Sequence, residues 1–469
     1  MQLSCEYKAL LEENNKKEYG ENYHRLNWIT VNESQRAGQE RDGILSALGT
    51  AVSLKYKQTK LDCTRLSPGC ETCGAGTWSC LFINGKCNCS CFYCPTQQDD
   101  IGVPTTNTLP FPRTADYLDY IERFGFKGVS ISGGEPLLTL SLTLEYIEKI
   151  KKRFGEKIYL WMYTNGTLIT EDIIHKLEQA GLDEIRFDIG ATNYHLEKAR
   201  LAVGHFKHVT VEVPAIPDHI DTMKAAIHEM HEIGVHYLNL HQLRLTPYNF
   251  SNIAQRNYTY LHGEKVTVLE SELTALSLIS YVHENNIDLP INYCSFVYKN
   301  RFQRAAARRR SAAVIRKPYE DITEPGYIRQ LCLKGDAPDI KEQSERFTRH
   351  GFDETLWSRR DDHALCFNEC LWKYIDFTRL HVSVTYYEAV MLGSHTYRNQ
   401  FIQIDLNRNR KIVVERKRVS QAMDLTRGDV TAFEDLAINR SDVPPSFESG
   451  TMHDIFKYEC IPSGLQEYF

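Results

Sequence analysis

The chain has 469 residues, 42% hydrophobic and 25% charged, the balance of an ordinary globular protein; that excludes a disordered chain, a collagen or a bare coiled coil. Lys and Arg number 55 against 61 Asp and Glu, a formal charge of −6, so the molecule as a whole is no generic polyanion binder. No stretch approaches the roughly 20 apolar residues that span a bilayer, and the polar start has no apolar signal region, so the expected location is cytoplasmic with no membrane partner. Thiols stay reduced there, yet 14 cysteines are present, and eight of them (Cys63, Cys70, Cys73, Cys80, Cys87, Cys89, Cys91 and Cys94) crowd into one short stretch. Clustered reduced thiols point to metal more than to disulfides.

Residues 1–79 read as a polar N-terminal extension that ends in the cysteine-rich segment. A strand is expected at Leu81–Ile83, followed by a loop with Pro104, Pro110 and Pro112. From Thr114 a strand–helix alternation sets in. Helices with apolar residues at helical spacing are expected after Thr114, around Leu144–Phe154, after Thr170, over Asp218–Ile233 and around Leu273–Val282. Strands are expected at Gly128–Ser132, Ile158–Tyr163, Glu184–Ile189, Val209–Val213, Tyr237–Leu240 and Leu289–Tyr293. Apolar strands alternating with amphipathic helices imply parallel strands covered on both faces. The expected fold is therefore α/β: a partial or full TIM-type barrel of six to eight βα units over residues 80–317, with a doubly wound open sheet as the alternative. In both, the site lies beyond the C-terminal ends of the strands. Residues 318–370 read as a polar connecting region. Residues 371–469 read as a small β-rich domain, with strand-like runs around 380–387, 400–406 and 411–417 and a turn at Asn407–Asn409.

Just after the first expected strand, Cys87, Cys91 and Cys94 have the spacing C-x3-C-x2-C. Thiolates hold iron–sulfur clusters, usually four per cubane, so three leave one iron open. After the second strand comes Gly133-Gly134-Glu135-Pro136. Glycines let backbone groups approach a ligand closely, and a carboxylate accepts from an ammonium. Together, at consecutive strand ends, the two motifs resemble the radical SAM superfamily. The likeness covers roughly residues 80–245. The resemblance implies a 4Fe–4S cluster on Cys87, Cys91 and Cys94 and S-adenosylmethionine (SAM) chelating the open iron. It also implies SAM contacts from Tyr93, Gly133, Gly134, Glu135, Asn165, Arg186 and Asp188, with Cys89 a bystander. The implied chemistry is reductive cleavage of SAM to a 5′-deoxyadenosyl radical that takes a hydrogen atom from a substrate. An electron donor such as flavodoxin or ferredoxin is implied as partner. The stretch from Leu66 to Pro95 is similar to a group of prokaryotic radical SAM proteins that carry only the label of relatives of pyruvate formate-lyase activating enzyme. True activases are shorter and lack this N-terminal lead and C-terminal domain. No cysteine array of the family's usual auxiliary-cluster extensions and no cobalamin-domain signature is visible.

Cys63, Cys70, Cys73 and Cys80 have the spacing C-x6-C-x2-C-x6-C. They are expected to form a second metal centre, either one structural zinc or an auxiliary iron–sulfur cluster with Cys294, Cys332, Cys366 or Cys370 as candidates to complete it, and with Cys70 and Cys73 as the leading ligands; the alternative is a set of unmetallated thiols. For substrate, the basic run Lys299–Lys317 suggests phosphate contacts, as in RNA, or an acidic peptide, against a plain solvated helix face. Asn239, His241 and Gln242 at a strand end are candidates to line the chamber. Residues 246–262 form a long polar connection, a lid or a mere insertion. The expected substrate is a macromolecule, a peptide or protein slightly ahead of RNA. A glycyl-radical-enzyme activase is one alternative, and a non-catalytic zinc- or iron-binding interaction protein is another.

Overall fold

The computed structural model describes residues 5–62, 65–440 and 449–469. The chain divides into two compact units, one of residues up to Gln303 together with Ser463–Phe469, the other of Arg304–Pro462.

The first unit begins with helices α1 (Cys5–Tyr19) and α2 (Val31–Leu48). Thr30 and Glu33 start α2 with a reciprocal capping box. The hairpin β1 (Ser53–Lys55) and β2 (Lys60–Asp62) and the short helix α3 (Pro68–Gly74) lead to β3 (Trp78–Asn84) and the small pair β4 (Thr105–Thr106) and β5 (Leu109–Pro110). The βα repeat then runs through α4 (Thr114–Arg123), β6 (Gly128–Gly133), α5 (Leu140–Phe154), β7 (Tyr159–Thr164), α6 (Glu171–Ala180), β8 (Glu184–Phe187), α7 (Glu197–Ala202), β9 (His208–Pro214), α8 (Ile220–Ile233) and β10 (Tyr237–His241). After α9 (Phe250–Ile253) and the pair β11 (Tyr260–Leu261) and β12 (Thr267–Val268), α10 (Leu269–Glu284) leads to β13 (Ile291–Cys294). The sheet order is β1-β2-β13-β10-β9-β8-β7-β6-β3-β4-β5. The seven strands from β13 to β3 pair in parallel, and each edge carries an antiparallel hairpin. This is a partial TIM-type barrel, and all seven expected parallel strands are present.

Local signals explain its elements. The Thr170 hydroxyl accepts from the Ile173 amide to start α6, and Gly181 closes that helix in the left-handed region at φ 93°. Thr114 differs from expectation: it is the first helical residue, and its hydroxyl donates to Glu145 instead of capping. Along β3 the buried residues Ser79, Leu81 and Ile83 alternate with the more accessible Trp78, Cys80 and Phe82. The outward set lies under helices, and the inward set faces the barrel interior. Towards the strand ends Ser132, Tyr163, Asp188, Glu212 and His241 are also only partly buried. The interior is therefore a chamber that opens at the C-terminal ends of the strands, where a barrel keeps its chemistry. Residues 246–262 are an insertion packed into this unit. Phe250, Ile253, Tyr258 and Tyr260 are buried with Tyr19, Tyr23, Leu243 and Leu245 in one hydrophobic cluster.

The N-terminal residues are part of this unit, since β2 pairs with β13 and places Lys60 opposite Cys294. The short helix α11 (Phe296–Tyr298) and a wide turn over Lys299–Gln303 end it.

The second unit contains α12 (Arg304–Ile315), β14 (Asp321–Ile322), β15 (Ile328–Lys334), α13 (Ala337–Arg349), β16 (Trp357–Asp361), β17 (Ala364–Phe367), β18 (His381–Leu392), β19 (Gln400–Asn407), β20 (Arg410–Arg418), β21 (Met423–Asp424), α14 (Arg427–Phe433) and α15 (Gly450–Glu459). Its sheet is antiparallel, with the order β16-β17-β15-β18-β20-β19. The stretch 318–370, which reads as a connecting region, supplies the central strand β15. Its polarity is misleading for a physical reason. Arg329 on β15 is 2% exposed and pairs with Glu459 at 2.9 Å, with Asp321 at 3.6 Å and with Glu369. Buried charge that is fully paired looks, in sequence, like a solvated linker.

Candidate active site

The cysteine triplet lies on the connection after β3, in a stretch with no regular secondary structure. Backbone bonds hold its stem: Gly85 donates to the Ile101 carbonyl at 2.9 Å and Cys87 to that of Gln98 at 3.1 Å, while the Cys94 amide closes a turn on the Cys91 carbonyl at 3.0 Å. Cys87, Cys91 and Cys94 are all partly buried. The glycine pair ending β6 lies directly against this stem. The Gly134 amide donates to Asn84 O at 3.0 Å and the Glu135 amide to Lys86 O at 2.7 Å. A Cβ on Gly133 would stand 2.1 Å from Asn84 O, and one on Gly134 2.0 Å from Lys86 O. Both contacts are with backbone, so only glycine lets the two segments meet.

Glu135 is fully buried. Its carboxylate accepts from the amides of Leu137 at 3.0 Å and Asn165 at 2.7 Å and from the Thr164 hydroxyl at 2.9 Å. Burial raises its pKa and those three bonds oppose the rise. Asn165, just past β7, turns its amide to Asn88 Oδ1 at 2.8 Å and Cys87 Sγ at 3.6 Å. One carboxylate thus ties the ends of β6 and β7 together, and Asn165 ties both to the cysteine loop. Tyr93 donates its hydroxyl to Asp188 Oδ1 at 2.9 Å, beyond the end of β8. Burial holds the Asp188 carboxyl high, at about 6, although Tyr93 and the Gly190 amide donate to it. Burial likewise pushes the Cys91 thiol up to about 12. A metal cation would compensate that cost, because ligation requires the thiolate.

Arg186 lies elsewhere than the expected SAM contacts. Its guanidinium is committed deeper in the barrel, to Glu184 at 2.8 Å, Glu212 at 2.7 Å and Ser67 Oγ at 2.9 Å. Strand alternation puts residues 184, 186 and 188 on the same inward face, but only Asp188 is at the rim. Cys70 and Cys73 are carried by α3 inside the barrel unit, away from the triplet loop; Cys70 Sγ accepts from Asn239 at 3.4 Å and Cys73 Sγ from Gln303 at 3.0 Å. Cys63 lies outside the described residues. Cys332, Cys366 and Cys370 belong to the other unit.

His241 is a chamber residue. Its Nε2 is 2.7 Å from Glu212 and its Nδ1 2.9 Å from Lys299 Nζ, so Nε2–H donates to the carboxylate and Nδ1 accepts from the ammonium. Burial and Lys299 keep its pKa low. Gln242 accepts from the Phe296 amide at 3.3 Å. The basic run is dispersed over structural duties: Arg301 reaches Glu264 at 3.5 Å, Arg308 donates to Pro325 O at 2.7 Å, Arg309 to Glu324 O, and Arg316 to Glu320 O at 3.0 Å.

Several residues at the site carried no motif. Asn249 donates to Tyr93 O at 3.1 Å, and the Thr246 hydroxyl donates to Pro95 O at 3.1 Å. Arg256 stacks its guanidinium 3.8 Å over the ring of Phe92. They hold the cysteine loop from the 246–262 segment. Its unusual length was the only sequence signal.

Residues 81–244 match the family described as the Radical SAM superfamily. A protein of Methanocaldococcus jannaschii, provisionally named a glycyl-radical enzyme activating enzyme, is 29% identical over 304 residues, covering 62% of this chain and 79% of that one. A second protein of that organism, provisionally named a GTP 3′,8-cyclase, is 34% identical over 130 residues; the match spans 28% of this chain and 41% of the relative. Among solved structures, Streptococcus suis SuiB bound to S-adenosylmethionine aligns with a TM-score of 0.34 at 11% identity, over 64% of this chain and 68% of that one. Among the described residues no helix is long and apolar enough to cross a membrane.

Proposed function

The chain carries a radical SAM domain and is a radical SAM enzyme, and we propose that it cleaves SAM reductively on a 4Fe–4S cluster held by Cys87, Cys91 and Cys94 to modify a polypeptide. The observation that carries this reading is the convergence of the β6 and β7 strand ends on the cysteine loop after β3, through Gly134, Glu135 and Asn165. A reduced cluster held by these cysteines would supply one electron to the sulfonium of SAM, whose C5′–S bond would break to leave methionine and a 5′-deoxyadenosyl radical.

The chain's own residues position and shield these groups. Three partly buried cysteines on one loop fit a cluster with one open iron. Glu135 uses three of about four lone-pair sites on its carboxylate, leaving room for one ammonium hydrogen bond. The Asp188 carboxylate accepts from a hydroxyl in the same manner as it accepts from Tyr93. Tyr93 offers an aromatic face, and Gly133 and Gly134 expose backbone at the strand end. Arg186, engaged by Glu184, Glu212 and Ser67, holds the inward face of β8 in place.

For the substrate, the name of the Methanocaldococcus jannaschii relative, of which this chain covers 79%, favours hydrogen abstraction from a protein glycine. The engaged arginines after Lys299 remove the main argument for RNA. A small reductase such as a flavodoxin or ferredoxin supplies the electron.

The test uses anaerobically reconstituted protein, SAM, dithionite and an extract of cells grown on α-deuterated glycine. Deuterium in the 5′-deoxyadenosine is the expected result. Turnover that vanishes on ribonuclease treatment, with no deuterium transferred, would overturn the polypeptide reading.

A further inference from the structure

The interior of the barrel holds a second group of cysteines that SAM cleavage does not use. Cys70 and Cys73 project from α3, and Cys294 ends β13. Cys70 and Cys294 are buried and Cys73 partly so. Lys60, 1% exposed, reaches Cys294 Sγ at 2.5 Å and Asn292 Oδ1 at 2.7 Å. It is placed there because β2 pairs with β13 and sets Lys60 opposite Cys294.

The three sulfurs are surrounded by hydrogen-bond donors. Cys70 Sγ receives Asn239 Nδ2 at 3.4 Å and Arg186 at 3.7 Å. Cys73 Sγ receives Gln303 Nε2 at 3.0 Å and lies 3.6 Å from the Tyr298 hydroxyl. A neutral thiol is a weak acceptor. Gln303 turns its amide to Cys73, and three donors with other partners also reach these sulfurs: Asn239, which donates to Glu212 at 2.9 Å, Lys60, which donates to Asn292, and Arg186, which pairs with Glu184 and Glu212. The same donors are what electron-rich sulfurs of thiolates and clusters take. The charges agree. Among the described residues, the acids in contact with Lys60, Arg186, Lys299 and His241 are Glu184 and Glu212, leaving positive charge in excess. A four-iron cluster with three thiolates carries net negative charge.

The spacing suits a cluster better than a single zinc ion. Three sulfurs on one tetrahedral zinc stand about 3.8 Å apart, given Zn–S of about 2.3 Å. Among the described residues only His175, Glu178 and His205 bring three ligand atoms within 4.8 Å of one another; the three sulfurs are set wider. A cubane suits wider spacing, because each thiolate binds a different iron.

We propose that Cys70, Cys73 and Cys294 hold a second iron–sulfur cluster inside the barrel, with Lys60, Asn239 and Gln303 donating to its sulfurs. It is distinct from the rim cluster and does not depend on it.

The test is anaerobic purification of the Cys87→Ala/Cys91→Ala/Cys94→Ala protein, followed by iron, zinc and acid-labile sulfide analysis and electron paramagnetic resonance after reduction. The expected result is about eight irons per wild-type chain, about four in the triple variant, and loss of those four when Cys294→Ser is added. A triple variant that holds no iron, or holds zinc in its place, overturns the inference. Should the triple variant not fold, the wild-type chain decides: about four irons with 5′-deoxyadenosine formed overturns the inference and leaves the SAM reading intact. Conversely, four irons and sulfides in the triple variant with no SAM cleavage by the wild type sinks only the proposed function.

Discussion

The rim cysteines and the interior cysteines solve the same problem in opposite ways. Cys87, Cys91 and Cys94 lie on an irregular loop whose shape is imposed from outside, by the Gly133–Gly134 backbone, by Asn165 and by Asn249 and Thr246. Cys70, Cys73 and Cys294 lie on regular elements whose own geometry aims them inward. A loop leaves ligands accessible to a second molecule at the mouth of the chamber. A helix and a strand end fix ligands where little can reach them. The rim set is therefore the one suited to exchange a substrate such as SAM.

Breaking the rim set should give the largest effect. Cys91→Ala is expected to bring 5′-deoxyadenosine below detection in an anaerobic dithionite assay and to lower the iron count by about four per chain. Product from that variant would refute the ligand assignment. Gly134→Ala should come next. Its Cβ meets the Lys86 carbonyl at 2.0 Å, so the cysteine loop must shift while all three thiols remain. At least half the rim iron should be lost, read by visible absorbance, with the fold retained by circular dichroism. Full cluster loading would show that the close approach does not position the loop.

Arg186→Met separates the two regions. The buried network with Glu184 and Glu212 loses its cation, a change that costs about 3–5 kcal/mol when one partner of a buried pair is removed. A marked fall in melting temperature is expected, while SAM affinity of the protein that folds stays within about twofold. A tenfold loss of affinity at unchanged stability would return Arg186 to the SAM site.

A smaller effect concerns pH. The folded Asp188 carboxyl ionises near pH 6 because burial opposes its charge. The ionised form is the better acceptor, so SAM affinity should rise between pH 5 and 7 and then level. Asp188→Asn should flatten that rise, and an unchanged profile in the variant would assign the titration elsewhere. Cys89→Ser should do least. Cys89 donates its amide to Cys87 Sγ, at 3.4 Å, and its thiol hydrogen-bonds with Thr167; neither contact supplies a ligand, and product should stay within about twofold.

The seven parallel strands were legible because each is a short apolar run, and the amphipathic helices α4, α5, α6, α8 and α10 alternate with most of them. The antiparallel unit was legible over β18, β19 and β20, which are rich in β-branched and aromatic residues; its helices α14 and α15 were not read. It was missed over 318–370, where Arg329 and Gln330 put polar side chains into a central buried strand. At the site, Cys87, Cys91, Cys94, Tyr93, Gly133, Gly134, Glu135, Asn165 and Asp188 cluster near the strand ends that their spacing indicates. Arg186 does not, because strand alternation gives the face a residue points to and not its depth. Asn249 and Thr246 could not be read at all, since their contacts join segments about 150 residues apart. Lys60 was hidden for a similar reason: only the pairing of β2 with β13 brings it to Cys294.

The most direct measurement of the central claim is 5′-deoxyadenosine formation by the reconstituted wild-type chain under dithionite, run beside Cys91→Ala and Cys89→Ser. The account predicts product from the wild type and Cys89→Ser and none from Cys91→Ala. A wild-type chain with its rim cluster intact that binds SAM yet forms no product, with or without extract, would contradict it.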